Sequence, residues 1–271
     1  MYSFKIKRHG NNTWRKKIYR DIRECRLKRK KGKISLNDGG DSVFIGQNAG
    51  ANDDGTGNRN VGIGIQSLEA NTTGTSNTAI GRSSLVLNTS GGQNSSFGTF
   101  SLNSNVGGNS NTAIGYQSLF FNTTGSNNVA SGYRSLRANT SASSNVAIGY
   151  EALTDTTTGN NNLALGTQAG DNNTTGNNNV ALGRLAGSLN TTGGNNVFVG
   201  AESRPLSVNQ DNQIVIGFSA VGNGSNTVTI GDTNIVATFL RGTLNLANLP
   251  TSATGLSAGD VWRSGNDLKI V

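Results

Sequence analysis

The chain has 271 residues, of which 38 are Gly and two are Pro, while 6% are aromatic and 14% are charged. A chain with so much glycine and so few aromatic residues rarely has an ordinary globular core, and a similar composition is also found in disordered chains. Because Cys25 and His9 are the only residues of their kinds, one chain can form neither an internal disulfide nor a metal site made of several Cys or His side chains.

The net charge of +8 is unevenly distributed along the chain. Residues 1–33 contain 14 Lys and Arg against two acids, whereas the other 238 residues contain 9 basic and 13 acidic residues. The basic character therefore belongs to an N-terminal arm. We expect no secretory signal peptide and no membrane span, because no apolar run has the required length and flanks.

Residues 1–36 are predicted to be a basic attachment arm. From Asn12 or Thr13 onwards, an apolar stripe recurs at helical spacing with basic side chains on the other faces, which predicts a helix. The arm could pack on another copy or on the rest of the protein, dock on an acidic protein surface, or bind phosphate backbones or anionic lipid. Nucleic acid is the less favoured partner, because few aromatic residues are available to stack on bases. The candidate attachment residues are Trp14, Arg15, Lys16, Lys17, Ile18, Arg20, Ile22, Arg23, Arg26, Lys28, Arg29, Lys30 and Lys31.

Residues 37–233 form a repeat whose period is 17 residues. The repeated unit is exemplified by Asn145–Gly149, and a fixed period over most of a chain predicts a solenoid. Apolar alternation before the glycine predicts a short half-buried strand, and glycine permits a sharp corner after it. The next step, as in Ser135-Leu136, predicts a second, shorter strand, and an Asn-Thr-Thr-Gly turn completes the coil. The predicted corner glycines are Gly64, Gly81, Gly98, Gly115, Gly132, Gly149, Gly166, Gly183, Gly200 and Gly217.

The repeat predicts an all-β parallel β-roll, or solenoid, of about eleven coils. Stacked Asn side chains are expected to form amide ladders, with one uncertain coil where Gln213 replaces Asn. Each coil buries roughly 5 kcal/mol of aliphatic side chain against an ordering cost of about 1–2 kcal/mol per residue, so we expect an obligate homo-oligomer. Its leucine or valine columns should face the symmetry axis, more tightly where Gly50, Gly170 and Gly187 replace leucine.

Residues 234–271 are predicted to be a small C-terminal β cap, which repeat arrays need at an open end. Strands are expected at 235–240 and 243–246. A hairpin is expected to join 259–263 to 267–271.

The repeated unit Asn-Asn-Val-Ala-Ile-Gly, followed by Ser-Leu and an Asn/Thr/Gly turn, resembles the head repeats of trimeric autotransporter adhesins. Similar repeats are found in phage and virus tail fibres and virion structural proteins. The resemblance covers roughly residues 41–231 and implies a homotrimeric, left-handed parallel β-roll. Residues 249–271 look like segments common in phage tail-fibre and virion proteins, and neither the signal peptide nor the membrane barrel of an adhesin is evident.

The resemblance therefore implies a non-enzymatic virion fibre or spike. Its basic arm would hold other virion proteins, and its rod would attach to a host-surface receptor, either a glycan or a protein. The candidate receptor-binding residues are those of outward-facing turns, although the simpler interpretation is that they are good turn formers. They are Asn122, Thr123, Thr124, Asn173, Thr174, Thr175, Asn190, Thr191 and Thr192.

Three other functional classes were considered. A cell-surface adhesin head is one alternative, and an ice-binding solenoid with aligned threonines is another, although the Thr pair is lost at Val106-Gly107. An enzyme is not expected, because the candidate carboxylates are scattered and do not recur with the repeat: Asp53, Asp54, Glu151, Asp155 and Asp211. We expect no metal and no other cofactor, since the recurring polar column is Asn rather than Asp.

Overall fold

The structure is a computed structural model that describes residues 41–239, 241, 249–256, 260–264 and 267–271, with the backbone alone for 33–36, 267 and 268. The chain divides into two units, one ending at Asp232 and the other comprising Thr233–Val271. The described residues form an all-β protein without a helix. The helix predicted in the arm lies outside them.

The first unit contains one sheet of thirteen strands, arranged in the order in which they occur along the chain. The strands are β1 Lys33–Leu36, β2 Val43–Gly46, β3 Val61–Ile63, β4 Thr78–Ile80, β5 Ser95–Phe97, β6 Thr112–Ile114, β7 Val129–Ser131, β8 Val146–Ile148, β9 Leu163–Leu165, β10 Val180–Leu182, β11 Val197–Val199, β12 Ile214–Ile216 and β13 Val228–Ile230. β1 is antiparallel to β2, and every later neighbour is parallel. A parallel solenoid of about eleven coils with 17-residue spacing is thus confirmed.

Each strand from β3 to β13 is followed by a corner at glycine. The ten corner glycines from Gly64 to Gly217 have φ between 125° and 146°, a region that L-residues with a side chain rarely adopt. The coils also approach closely there, because a Cβ on Gly115 would lie 2.5 Å from the carbonyl oxygen of Gly132 in the next coil. Glycine is therefore required both for the backbone direction and for the spacing between coils.

The core lies inside each coil and includes two larger apolar columns beside a column of buried Ala or Ser residues such as Ser135 and Ala152. The middle residue of each strand points inward, and it is a fully or almost fully buried alanine in six strands: Ala79, Ala113, Ala130, Ala147, Ala164 and Ala181. A leucine column faces this strand from the segment after the corner: Leu68, Leu85, Leu102, Leu119, Leu136 and Leu153. The core is thus continuous along the solenoid.

The leucine column corrects two sequence-based expectations. The Ser-Leu step is not a second strand, because Leu136 has φ of 49° and Arg134 has φ of 54°, so the backbone turns instead of extending. The column also does not face a symmetry axis, because its side chains are buried within their own chain. Burial of a leucine side chain, worth about 1.5–3 kcal/mol, offsets the ~1–2 kcal/mol cost of the left-handed conformation.

A phenylalanine fills the interior at two of the three glycines that replace leucine, whereas the side chains next to Gly170 are those of Leu153 and Ala181. The Phe198 ring is buried, and a Cβ on Gly187 would lie 2.8 Å from its Cδ2 atom. The Phe44 ring likewise leaves no room for a side chain at Gly50 or Gly62. At Gly50 and Gly187 the missing leucine side chain therefore makes room for a phenylalanine ring inside the coil. This explains the glycine without the expected tighter symmetry axis.

Two buried asparagine ladders run along the solenoid. In the first, the backbone N–H of Asn77 donates to Asn60 Oδ1 (2.8 Å), and equivalent bonds continue with 17-residue steps to Gln213, whose N–H donates to Asn196 Oδ1 (2.9 Å). In the second, Asn88 Nδ2 donates to the Oδ1 of the preceding ladder residue (2.7 Å), and this pattern also repeats. The predicted ladder is confirmed from Asn60 to Asn196. At Gln213 only the backbone N–H continues it, because the Gln213 side chain donates to Gln210 Oε1 (2.7 Å) instead.

The second unit contains the predicted hairpin, formed by β14 Val261–Ser264 and the antiparallel β15 Asp267–Ile270. The strand expected at 235–240 is wrong for residues 235–239, which form no backbone ladder and expose Val236 fully. The strand expected at 243–246 lies outside the described residues. Among the described residues, no helix is long and apolar enough to cross a membrane.

Candidate interaction surfaces

The outward face of the parallel sheet is apolar over its whole length. In each strand from β2 to β13, the residues on either side of the inward residue point away from the core. Twenty of these twenty-four outward residues are Val, Ile, Leu or Phe, the exceptions being Thr78, Ser95, Thr112 and Ser131. Ile148 is 44% exposed and Ile114 is 45% exposed. The valine column, unlike the leucine column, is thus available to another molecule.

The turns predicted as receptor-binding residues are only partly exposed. Asn122, Asn173 and Asn190 are buried members of the second ladder, so the prediction that they are exposed is wrong. Their amides are directed inward because Nδ2 also donates to the carbonyl three residues later, as from Asn122 to Gly125 (3.0 Å). The exposed residues of these turns are Thr124, Thr175 and Thr192, while Thr123, Thr174 and Thr191 are half-buried.

The first threonine of each turn uses its hydroxyl within the solenoid. Thr123 Oγ1 donates to the carbonyl of Thr140 (2.9 Å), and the same bond recurs from Thr72 to Thr191 wherever the column contains threonine. Val106 and Val208 interrupt this column. The ice-binding alternative is not favoured by this geometry, because the hydroxyl protons point at protein acceptors.

Six aromatic rings form a continuous surface feature, which we call the aromatic stripe: Tyr150, Tyr133, Tyr116, Phe100, Phe120 and Phe121. Tyr150 and Tyr133 stack with centroids 5.1 Å apart, and Tyr133 stacks on Tyr116 at 5.6 Å. Edge-to-face contacts then join Tyr116 to Phe100, Phe100 to Phe120 and Phe120 to Phe121. The stripe spans four consecutive coils.

Three arginines lie over the rings of the stripe. The guanidinium carbon of Arg134 lies 4.9 Å from the Tyr133 centroid, that of Arg137 lies 5.0 Å from Phe121, and that of Arg82 lies 5.5 Å from Phe100. Arg134 is also 3.6 Å from the Glu151 carboxylate. Within the described residues, Arg82 and Arg137 form no ion pair, and the buried Nε of Arg137 has no hydrogen-bond acceptor.

Burial and hydrogen bonds shift the pKa values of some acidic side chains in the described part of the first unit. Burial raises the pKa of Asp171 to about 6, with a smaller contribution from the neighbouring charge of Asp155. The pKa of Glu202 is lowered, first by the hydrogen bond from Ser219 and then by Arg184. No group of three or more His, Cys, Asp or Glu that could hold a metal ion occurs in the described part of the chain.

The predicted attachment residues from Trp14 to Lys31 lie outside the described residues. Sequence reasoning missed the aromatic stripe, although Tyr116, Tyr133 and Tyr150 occupy one column of the repeat at 17-residue steps. Comparison with known proteins provides no family assignment: no family model matches the chain, and no curated protein matches it either.

Proposed function

We propose that this chain forms the rod of a non-enzymatic, trimeric virion fibre or spike that attaches to a host surface. The observation that carries the proposal is the apolar outward face of the sheet. Parallel sheets are normally covered on both faces, and monomeric proteins rarely expose a continuous apolar surface of this length. Twelve parallel strands at roughly 4.8 Å give a face about 50 Å long, which other copies of the same chain can cover along its whole length.

Identical chains suit this face because its outward columns repeat in every coil. A neighbouring copy aligned with the rod presents the same side chains at the same spacing, so each coil contacts an equivalent coil of the other copy. The number three comes from the resemblance to the trimeric adhesin heads, and the assignment to a virion comes from the likeness of residues 249–271 to tail-fibre segments. The basic arm of residues 1–36 is the proposed attachment to other virion proteins.

Light scattering of the purified chain tests the assembly. The wild-type protein should have three times the 28.1 kDa mass of one chain at micromolar concentration. Ile148→Glu should dissociate it, because a charge placed in the apolar contact loses its hydration. Thr124→Glu, in an exposed turn, is the matched control and should remain trimeric. A monomeric wild-type protein, or a trimeric Ile148→Glu variant, would contradict the proposed packing.

Immunoelectron microscopy of purified virus particles tests whether the rod lies on the particle surface. Antibodies against the rod should label projections on the particle surface. Deletion of residues 1–36 should leave a trimer in solution and remove the label from the particles. Retention of the label after this deletion would show that the arm is not the attachment.

A further inference from the structure

The aromatic stripe is the exception in a surface that otherwise repeats. It contains six of the ten aromatic residues between positions 41 and 232, and all six lie between Phe100 and Tyr150. Stability of the coil does not require the three tyrosines, because their column elsewhere contains Arg82, Thr99 and Thr167. Tyr150 is 48% exposed, and Phe121 is 41% exposed.

The stripe presents an open ring at its end. The tyrosine stack stops at Tyr150, because the next residue of the column is the smaller Thr167. One face of Tyr150 is covered by Tyr133, and no aromatic ring among the described residues covers the other. Hydrogen-bonding groups border this end, since Gln168 Nε2 donates to the Glu151 carboxylate (3.4 Å). An aromatic face beside carboxylate and amide groups suits a ligand that has one apolar face and a polar rim.

Charge narrows the class of ligand. Arg82 and Arg137 form no ion pair within the described residues, and the only carboxylate within ion-pair distance of Arg134 is that of Glu151. Stacking on Phe100 and Phe121 holds the two unpaired guanidinium groups at the surface of the stripe. Arginine held in this way recognises carboxylate or phosphate oxygens through paired hydrogen bonds.

We propose that the aromatic stripe binds an acidic oligosaccharide lying along the rod. A pyranose ring at one end would stack on the free face of Tyr150, and the next sugars would contact the exposed edges of the rings that follow it along the stripe. Their anionic groups would pair with Arg82 and Arg137. The coil spacing of about 4.8 Å is close to the length of one sugar residue, so successive coils can contact successive sugars. The inference rests on the proposed function and names the receptor class, but it moves the receptor site from the threonine turns to the stripe.

An array of defined acidic and neutral oligosaccharides, probed with the full-length assembled protein, tests the proposal. Acidic oligosaccharides should bind, their neutral counterparts should not, and salt should weaken the binding. Affinity for the best acidic ligand is then measured by calorimetry. Arg137→Gln and Tyr150→Ala should each weaken binding about tenfold or more, since each removes one of the contacts. Arg59→Gln, which changes an exposed arginine in the first coil, should bind like the wild type.

Each outcome decides the question. Wild-type affinity of Arg137→Gln, equal binding of neutral sugars, or no binding of any acidic oligosaccharide overturns the proposal. A change of oligomeric state in Tyr150→Ala and Arg137→Gln also overturns it, because the stripe would then be a contact between subunits. An intact trimer that binds no oligosaccharide leaves the proposed fibre standing, whereas a monomeric protein contradicts the fibre itself.

Discussion

Replacing Thr156 by asparagine should stabilise the rod. Thr156 is fully buried at the position where the second ladder elsewhere contains asparagine, and its hydroxyl has no hydrogen-bond partner. The neighbouring Asn139 Oδ1 is also buried without a donor. The backbone is the same as in complete coils, because the N–H of Thr156 and that of Asn139 each donate to a carbonyl three residues earlier at 3.2 Å. An asparagine side chain at position 156 would therefore point in the same direction as the ladder asparagines of complete coils.

The magnitude follows from the bonds that complete coils form. An asparagine at position 156 would donate from Nδ2 to Asn139 Oδ1 and to the carbonyl of Gly159, as Asn139 does to Asn122 (2.5 Å) and to Ala142 (3.1 Å). Each added bond contributes about 0.5–1.5 kcal/mol, so we expect Thr156→Asn to raise the free energy of unfolding by about 2 kcal/mol.

Chemical denaturation at fixed protein concentration measures this change. The midpoint in guanidinium chloride should rise for Thr156→Asn with an unchanged slope. Thr158→Asn is the control, because Thr158 is exposed and lies outside both ladders, and its free energy of unfolding should change by less than about 0.5 kcal/mol. A midpoint equal to or below that of the wild type would refute the reasoning that the ladder is incomplete at this coil.

Three further predictions concern the corners, the core and the buried acid. Gly115→Ala should destabilise by about 3 kcal/mol or more, through its φ of 125° and the adjacent carbonyl, whereas Gly107→Ala, with only a side-chain oxygen at 3.5 Å, should be tolerated; equal melting temperatures would contradict this. Phe198→Ala should lower the free energy of unfolding by about 3–5 kcal/mol, and adding Gly187→Leu should restore part of it by rebuilding the alanine–leucine pair of the other coils. Strictly additive effects of the two substitutions would show that the phenylalanine ring does not take the place of the leucine side chain. Burial raises the pKa of Asp171 to about 6 in the folded state, so the folded protein loses stability as this carboxyl ionises with rising pH. The melting temperature of Asp171→Asn should therefore exceed that of the wild type by an amount that grows between about pH 4 and pH 6. A difference that stays constant with pH would argue against the pKa shift.

The repeat made part of the fold predictable. The 17-residue glycine register predicted a parallel solenoid, and the alternating apolar pair Val146 and Ile148 predicted a short half-buried strand. The conformation after the corner was not predictable in the same way, because leucine at φ near 50° is rare and no residue type there signals it. Part of the aromatic stripe could have been predicted from the sequence, because its tyrosines share one column of the repeat. Contacts between different columns, such as that of Phe100 with Phe120, could not, because they depend on how the coil folds back.

By itself, the sequence determined the period, the position of the corners and the stacking of Asn on Asn, because each of these depends on residues at a fixed separation along the chain. Only the tertiary structure decided which apolar column is inside. Leucine, valine and isoleucine are equally apolar in sequence, and the direction of a side chain depends on the backbone angles before and after it. The structure buries Leu136 and exposes Ile148, and so it transfers the proposed subunit contact from the leucines to the outward face of the sheet.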